Sequence, residues 1–536
     1  MTDPSKALNG PLTDPYPAHV AARLLDFFAD TTPWPRRLWD VSSLLALSEA
    51  YEAGDWQRQN VLSAGAVSWY LHALERMLGP DQGLGDGKMR KELTQLLRSG
   101  LAPDSQQRRR LRQVLPLANA GYLSRWTKAV DGRNPPSAER LARAVASHLL
   151  DRGWSSGKLH RWVHGAVRLP GITLRDLLEQ AVHFAESEDR DFEVMVPLLM
   201  VPDKQSAERS PDWLPAPAVS AWFHAEGFTP RPRHNGAFLY RVRAKDAVAA
   251  ARRAGALVLR LEARSSFARN GGRLLQPVGR VWVGGYPEPL PLQSAPRGAD
   301  VLSLQRERTL YSLTGSERLD DALELAASIN GRPPAPAVSG GWTAVESLMY
   351  HPGDKADPDT GRAVSADRLA AVVACSWPRA ELTALSYKYR PRQPDDLSSA
   401  LKRACSSTER CDVMASALAT GMAQLTELSD VAAAQRMSHL LASPFKELSD
   451  VHDVLAGALR RLYRQRNIVA HGGTTAAVAL NATLRTVAPL IGAGLDRLVH
   501  ASVRSGLEPL DLAARAENSL ALVGDPLGPA VTRLLN

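Results

Sequence analysis

The sequence predicts a mainly α-helical chain with a small α/β, or α+β, module in its middle. Three observations carry that expectation. Apolar residues recur three and four apart through residues 18–200 and again beyond 341, the spacing of one buried helix face. Between 238 and 283 the pattern changes to short alternating or apolar runs bounded by Pro and Gly, which suit strands. The charge changes there too. Residues 231–300 hold twelve Arg and one Lys against Asp246, Glu262, Glu288 and Asp300, so the whole formal charge of +9 sits in that segment. The expected organisation is a helical N-terminal region over 1–200, a basic α/β module over 218–330 and a helical domain over 335–536.

Taken in order, Val61–Met77 and Ala138–Leu150 are amphipathic helices by period. The phrase Leu149-Leu150-Asp151-Arg152-Gly153-Trp154-Ser155 reads as a helix ending at Gly, followed by a Ser that caps the next turn. A breaker-rich stretch from Pro202 to Pro217 closes the first region. Phe238–Val242 then alternates as a strand, Lys245–Ala254 suits a short helix, Ala256–Ala263 reads as a strand again, and Val278–Val283 is a further strand. Gly331–Gly341, rich in Pro and Gly, reads as a linker. Long helical runs follow at 409–427, 446–470 and 474–503.

Length and composition narrow the class. At 536 residues and 58.2 kDa the chain exceeds one compact domain. Hydrophobic residues make up 44%, enough for a real core, so global disorder is excluded. Three cysteines without close pairs rule out a disulfide scaffold and a thiolate zinc cluster. The N-terminus is polar, and no apolar run approaches the ~18 residues of a membrane span. A soluble, cytoplasmic protein without membrane contact is expected. The concentrated basic excess reads as a polyanion-facing surface, with Arg241, Arg243, Arg252, Arg253, Arg260, Arg264 and Arg273 as candidate nucleic-acid contacts. A solvated Arg-rich face is the other reading of the same residues.

Several apparent motifs fail on spacing. Gly83-Leu84-Gly85-Asp86-Gly87-Lys88 is followed by Met89 and satisfies neither phosphate-loop nor dinucleotide spacing. His160 and His164 are i,i+4 but enclose Arg161 where a zincin motif has Glu. No metal site and no cofactor is expected.

One constellation stands out. Residues 461–473 read Arg-Leu-Tyr-Arg-Gln-Arg-Asn-Ile-Val-Ala-His-Gly-Gly, ending a helix expected to begin near Phe445 and to stop at the αL-capable Gly472-Gly473. Arg466, Asn467 and His471 form an Arg-Asn-x3-His pattern, and Arg464 to His471 fits a longer spacing. Arg143 to His148 shares the bare spacing but has no Asn after the Arg. With Trp342 to Leu348 and Ala366 to Ala370 upstream, residues 335–536 resemble the Apea-like branch of HEPN domains, helical bundles found in RNA-cleaving toxins and antiviral defence proteins. No such resemblance covers the first 330 residues.

The residue types suit RNA cleavage on chemical grounds alone. His titrates in the range needed to take the 2′-OH proton or to protonate the leaving 5′-oxygen. A guanidinium can donate two hydrogen bonds to the phosphorane-like transition state, and an Asn amide can hold a tautomer or a phosphate oxygen. Asn467 and His471 are i,i+4, with Arg464 on the same stripe, whereas Arg466 lies about 140° from His471 around the helix. The resemblance implies a metal-independent endoribonuclease acting on tRNA or mRNA. It also implies a homodimer or higher oligomer in which two motifs face each other, products with 2′,3′-cyclic phosphate or 3′-phosphate ends, and a role in antiphage abortive infection. Arg466, Asn467 and His471 are then the catalytic candidates, with Arg464, Tyr463 and Glu346 in support. Two alternatives stand beside it: a bundle that binds nucleic acid or acts as a scaffold without cutting, and a toxin silenced by an antitoxin partner. A phage-derived trigger would be a further partner.

Overall fold

The computed structural model describes residues 8–85, 87–132, 134–229, 231–268, 274–313, 317–331, 333–354 and 363–536. The principal elements in chain order are α1 (Pro15–Phe28), α2 (Ser43–Arg58), α3 (Ala64–Leu78) and α4 (Ala138–Asp151), then β1 (Arg190–Met200) and β2 (Trp213–Leu214). After them come α5 (Ala216–Ala225), β3 (Ala237–Ala244), α6 (Ala247–Ala268), β4 (Gln276–Pro277), β5 (Arg280–Val283) and β6 (Leu290–Pro291). The chain then continues through α7 (Pro334–Met349), α8 (Val364–Lys388), α9 (Leu428–Ala442), α10 (Pro444–Gly472), α11 (Leu480–Ser505) and α12 (Pro509–Leu522). Shorter helices fill the intervals. The architecture is mainly α with one small antiparallel sheet in the middle of the chain.

Two compact units result, and they do not follow chain order. The first comprises residues 1–151, 163–182 and 297–536; the second comprises 152–162 and 183–296. Among its described residues the first unit has helices and no strand, with one isolated β-bridge between Pro11 and Thr173. Its core gathers Trp39, Trp342 and Trp377 with the apolar faces of α7, α8, α10, α11 and α12. Helices from the two ends of the sequence share this core and are tied by buried ion pairs. Arg36 donates to Glu381 on α8 at 2.7 Å and to Asp430 on α9 at 2.8 Å. Within the N-terminal part, Arg23 on α1 donates to Glu139 on α4 at 2.8 Å. Each of these guanidiniums leaves water only because a carboxylate meets it, since a lone buried charge would cost far more than packing returns.

The second unit is the sheet, ordered β2-β3-β1-β5-β6, with β4 also paired to β1. β1 and β3 run antiparallel from Arg190 opposite Ala244 to Pro197 opposite Ala237. Val194, Val196, Phe238, Tyr240, Val281 and Val283 cover one face and pack on Ala250, Ala251, Ala254 and Val258 of α6. Met195, Ala237 and Trp282 face the other way, toward Val219 and Phe223 of α5. Gly255 matters to this packing: a Cβ there would lie 2.6 Å from the Leu292 carbonyl oxygen, so only Gly lets α6 settle beside the β6 end.

Four readings of the sequence are corrected here. Residues 190–200, read as helical, form the longest strand, because Val194 to Leu198 is buried almost continuously and a strand buried on both faces does not alternate. Ala256–Ala263 is not a strand but the second half of α6, a helix of 22 residues that passes through Gly255 without a break. The supposed linker is largely helix: Pro334 opens α7 at a position that tolerates Pro, and Gly341 is a close-packing residue whose Cβ would lie 2.5 Å from Ile329 Cδ1. The run at 409–427 is helical only over Ser407–Ala419.

Candidate functional site

Helix α10 carries the candidate motif. Pro444 stands in its first turn, and Gly473 follows its last residue in the left-handed conformation with φ 63°, as the His-Gly-Gly ending predicts. Leu448, Leu455, Leu459, Leu462 and Ile468 are buried at helical spacing and seat α10 against α7, α8 and α11. That packing fixes which side chains of the motif can point outward.

Arg464 does not. It is buried with Arg461 and Gln465 around Glu49 of α2. Glu49 Oε1 accepts from Arg464 Nη2 at 3.1 Å and from Gln465 Nε2 at 3.4 Å, while Oε2 accepts from Arg461 Nε at 3.0 Å. The Tyr70 hydroxyl lies 2.9 Å from the same carboxylate, and the Tyr70 ring takes the Arg464 guanidinium at 3.9 Å from its centre. Burial works to raise the Glu49 pKa, but the two guanidiniums outweigh it and bring the carboxyl down to about 2. On a neighbouring side of α10, Arg460 makes a two-pronged pair with Asp367 of α8 and lies 4.0 Å from the centre of the Trp69 ring.

Arg466, Asn467 and Glu346 are brought together. Arg466 curls along the helix so that Nη1 donates to Asn467 Oδ1 at 3.0 Å, and its Nη2 lies 4.0 Å from Glu346 Oε2. Glu346 is nearly buried on α7 and accepts from Trp342 Nε1 at 2.9 Å. The Trp342 ring in turn meets Tyr463, with centroids 4.7 Å apart. Arg466, Asn467 and Tyr463 are half-buried. His471, one turn beyond Asn467, is exposed and forms no hydrogen bond or ion pair with the described residues. Next to it, Gly472 lies against Trp56 of α2, where a Cβ would come within 2.8 Å of the indole ring. What this end of α10 offers chemically is an exposed imidazole one turn from an Arg–Asn pair that retains spare N–H donors.

Glu49, Trp56 and Tyr70 had no motif to announce them. The available signal was a carboxylate standing on the apolar stripe of α2, three residues after Ala46 and four before Ala53.

The basic candidates divide. Arg241 and Arg243 project from the sheet face opposite α6, where Arg241 pairs with Glu193 at 3.1 Å and Arg243 donates to the Asp189 carbonyl at 3.4 Å. Arg252, Arg253, Arg260 and Arg264 are exposed on α6. Arg273 lies outside the described residues. Among the described residues no group of three or more His, Cys, Asp or Glu side chains is placed to hold a metal, and no helix is long and apolar enough to cross a membrane.

No protein-family model, curated protein or solved structure matches this chain.

Proposed function

We propose that the chain is a metal-independent endoribonuclease whose site is the C-terminal end of α10. The observation that carries this reading is the exposed His471 set one helical turn from Asn467, with Arg466 folded back onto that Asn. In the reaction the ribose 2′-oxygen attacks the adjacent phosphorus, the bond to the 5′-oxygen breaks, and a 2′,3′-cyclic phosphate and a 5′-hydroxyl result. One proton leaves the 2′-OH and one reaches the 5′-oxygen. His471 is the group in the site suited by its chemistry to either transfer. Arg466 supplies positive charge and N–H donors to the phosphorane oxygens, and the Asn467 amide nitrogen is left to bind another. Glu346 and Tyr463 orient Arg466 and the α7 wall. With one such His per chain, acid and base come from two copies, so the active species is a homodimer with two facing motifs.

The test is cleavage of tRNA and total RNA by the purified protein and its His471→Ala variant, with and without EDTA. The variant should lose cleavage while keeping its fold, and wild-type cleavage should survive the chelator. Unchanged cleavage by the variant, or strict Mg²⁺ dependence, overturns the proposal. An antiphage role, with a phage-derived trigger or a silencing antitoxin, is checked by phage challenge of cells carrying wild type or the variant. A second reading, a bundle that holds nucleic acid without cutting it, is favoured by one observation: Glu49 withdraws Arg464 from the stripe it shares with Asn467 and His471.

A further inference from the structure

The outer face of α6 carries a charge arrangement that the sheet unit does not compensate. The unit as a whole has 18 Lys and Arg against 12 Asp and Glu, so most of its cations could in principle be paired. Five of those acidic residues, Glu186, Glu188, Asp189, Asp191 and Glu193, lie on β1 or in the few residues before it. Glu193 holds Arg241, and Asp189 holds both Lys245 at 3.2 Å and Arg253 at 3.6 Å. Along α6, Arg252, Arg253, Ala256, Arg260, Ala263, Arg264 and Phe267 are all exposed and fall within about 120° of arc at helical spacing. The opposite stripe, from Ala247 through Ala254 to Val258, is the one buried on the sheet. Glu262, the one acidic residue of the helix, lies off the exposed stripe and is half-buried.

Three features decide what this face suits. Arg260 and Arg264 are i,i+4, so they repel unless an anion lies between them. From Arg252 to Arg264 the cations span roughly 18 Å of helix at 1.5 Å per residue, a run of charge rather than a point. Phe267 is 92% exposed, three residues from Arg264 and seven from Arg260, and so puts a bare aromatic ring on the same stripe. Extended positive charge beside an exposed ring suits a polyanion whose own bases can stack. A membrane surface is a poorer match, because the apolar stripe that would enter the lipid is already buried against β1, β3 and β5.

We infer that the exposed face of α6, through Arg252, Arg260, Arg264 and Phe267, binds single-stranded nucleic acid. Phosphates sit along the arginines and a base stacks on Phe267. The assignment stands apart from the cleavage proposal, since a chain that binds through α6 and never cuts would satisfy it.

The experiment is fluorescence anisotropy of labelled oligouridine and oligothymidine with the full-length His471→Ala protein across a salt series, which keeps cleavage from entering the measurement. Adding Arg260→Gln and Arg264→Gln should weaken binding and reduce the slope of log K against log salt by about 1.4, roughly 0.7 for each phosphate that is no longer neutralised. Phe267→Ala should weaken binding at least about fivefold with the slope unchanged. Arg241→Gln, on the sheet face opposite α6, should leave both quantities near wild type. Unchanged affinity and slope in the α6 variants would overturn the inference. So would anionic phospholipid vesicles or polyglutamate competing as well as unlabelled oligonucleotide. Thermal unfolding of each variant checks that these exposed substitutions leave the fold intact.

Discussion

Under the proposed mechanism, Arg466 is the residue whose removal separates a working site from a well-packed helix end. It is half-buried, has an Asn partner at 3.0 Å and lies 4.0 Å from Glu346, so it is held but not consumed. Arg466→Ala should lower kcat for RNA cleavage by about 10²–10³, the usual loss when one donor to a developing oxyanion is removed, and Arg466→Lys should recover only part of it. Steady-state kinetics on a defined oligoribonucleotide would measure both, and a change confined to KM would point to binding alone. Helical spacing puts Arg466 about 140° from His471 and leaves open how it could join the site. Its rotamer lays the guanidinium on the neighbouring Asn and 4.0 Å from Glu346 of α7, a placement that helical spacing alone does not give. Arg464 illustrates the opposite case. Its position on the Asn467–His471 stripe was legible from helical spacing, but its burial was not, because the partner that captures it is 415 residues away.

At the scale of the element, α10 is positioned by charges as much as by its apolar stripe. Among the described residues Glu49 is the carboxylate that pairs with both Arg461 and Arg464, and its loss leaves two guanidiniums in a buried site. Glu49→Gln should therefore destabilise the helical unit by about 3–5 kcal/mol, seen as a lower urea midpoint. The pH dependence has a definite sign. The folded carboxyl titrates near 2 against 4.5 for the free side chain, so its contribution is complete above 4.5 and fades as pH falls toward 2. The wild-type urea midpoint should decline over that window more steeply than the midpoint of the Glu49→Gln protein, and parallel declines would remove Glu49 as the cause. The packing of α7 yields a second prediction. Gly341→Leu inserts a side chain where a Cβ already approaches Ile329 to 2.5 Å, and should cost about 1–3 kcal/mol by thermal unfolding. Pro and Gly between 331 and 341 signalled a linker because breakers usually do. Here Pro334 opens the helix and Gly341 serves packing, a distinction set by what lies opposite.

For the whole molecule, the proposal of a composite site makes a quantitative demand. If acid and base come from two copies, mixtures of wild type and His471→Ala subunits allowed to exchange should show activity falling with the square of the wild-type fraction when one mutant subunit disables a dimer. A linear decline, or a protein that sediments as a monomer at active concentrations, argues that each chain works alone.

The sequence by itself determined the mainly helical class, the sheet in the middle, the extent of α10 almost to the residue, the glycine that ends it, and the segment that holds the excess charge. Those features are written in local periodicity, capping and composition, which act over a few residues. Tertiary structure decided that helices from both ends of the chain share one core and that Glu49 takes Arg464. It also decided that residues 190–200 pair as the sheet's longest strand, and that Arg241 and Arg243 lie on one face of the sheet while Arg252, Arg253, Arg260 and Arg264 ride on the helix packed against the other. Each of these depends on which surfaces meet, and burial, ion pairing and strand pairing between distant segments leave no spacing in the sequence to read.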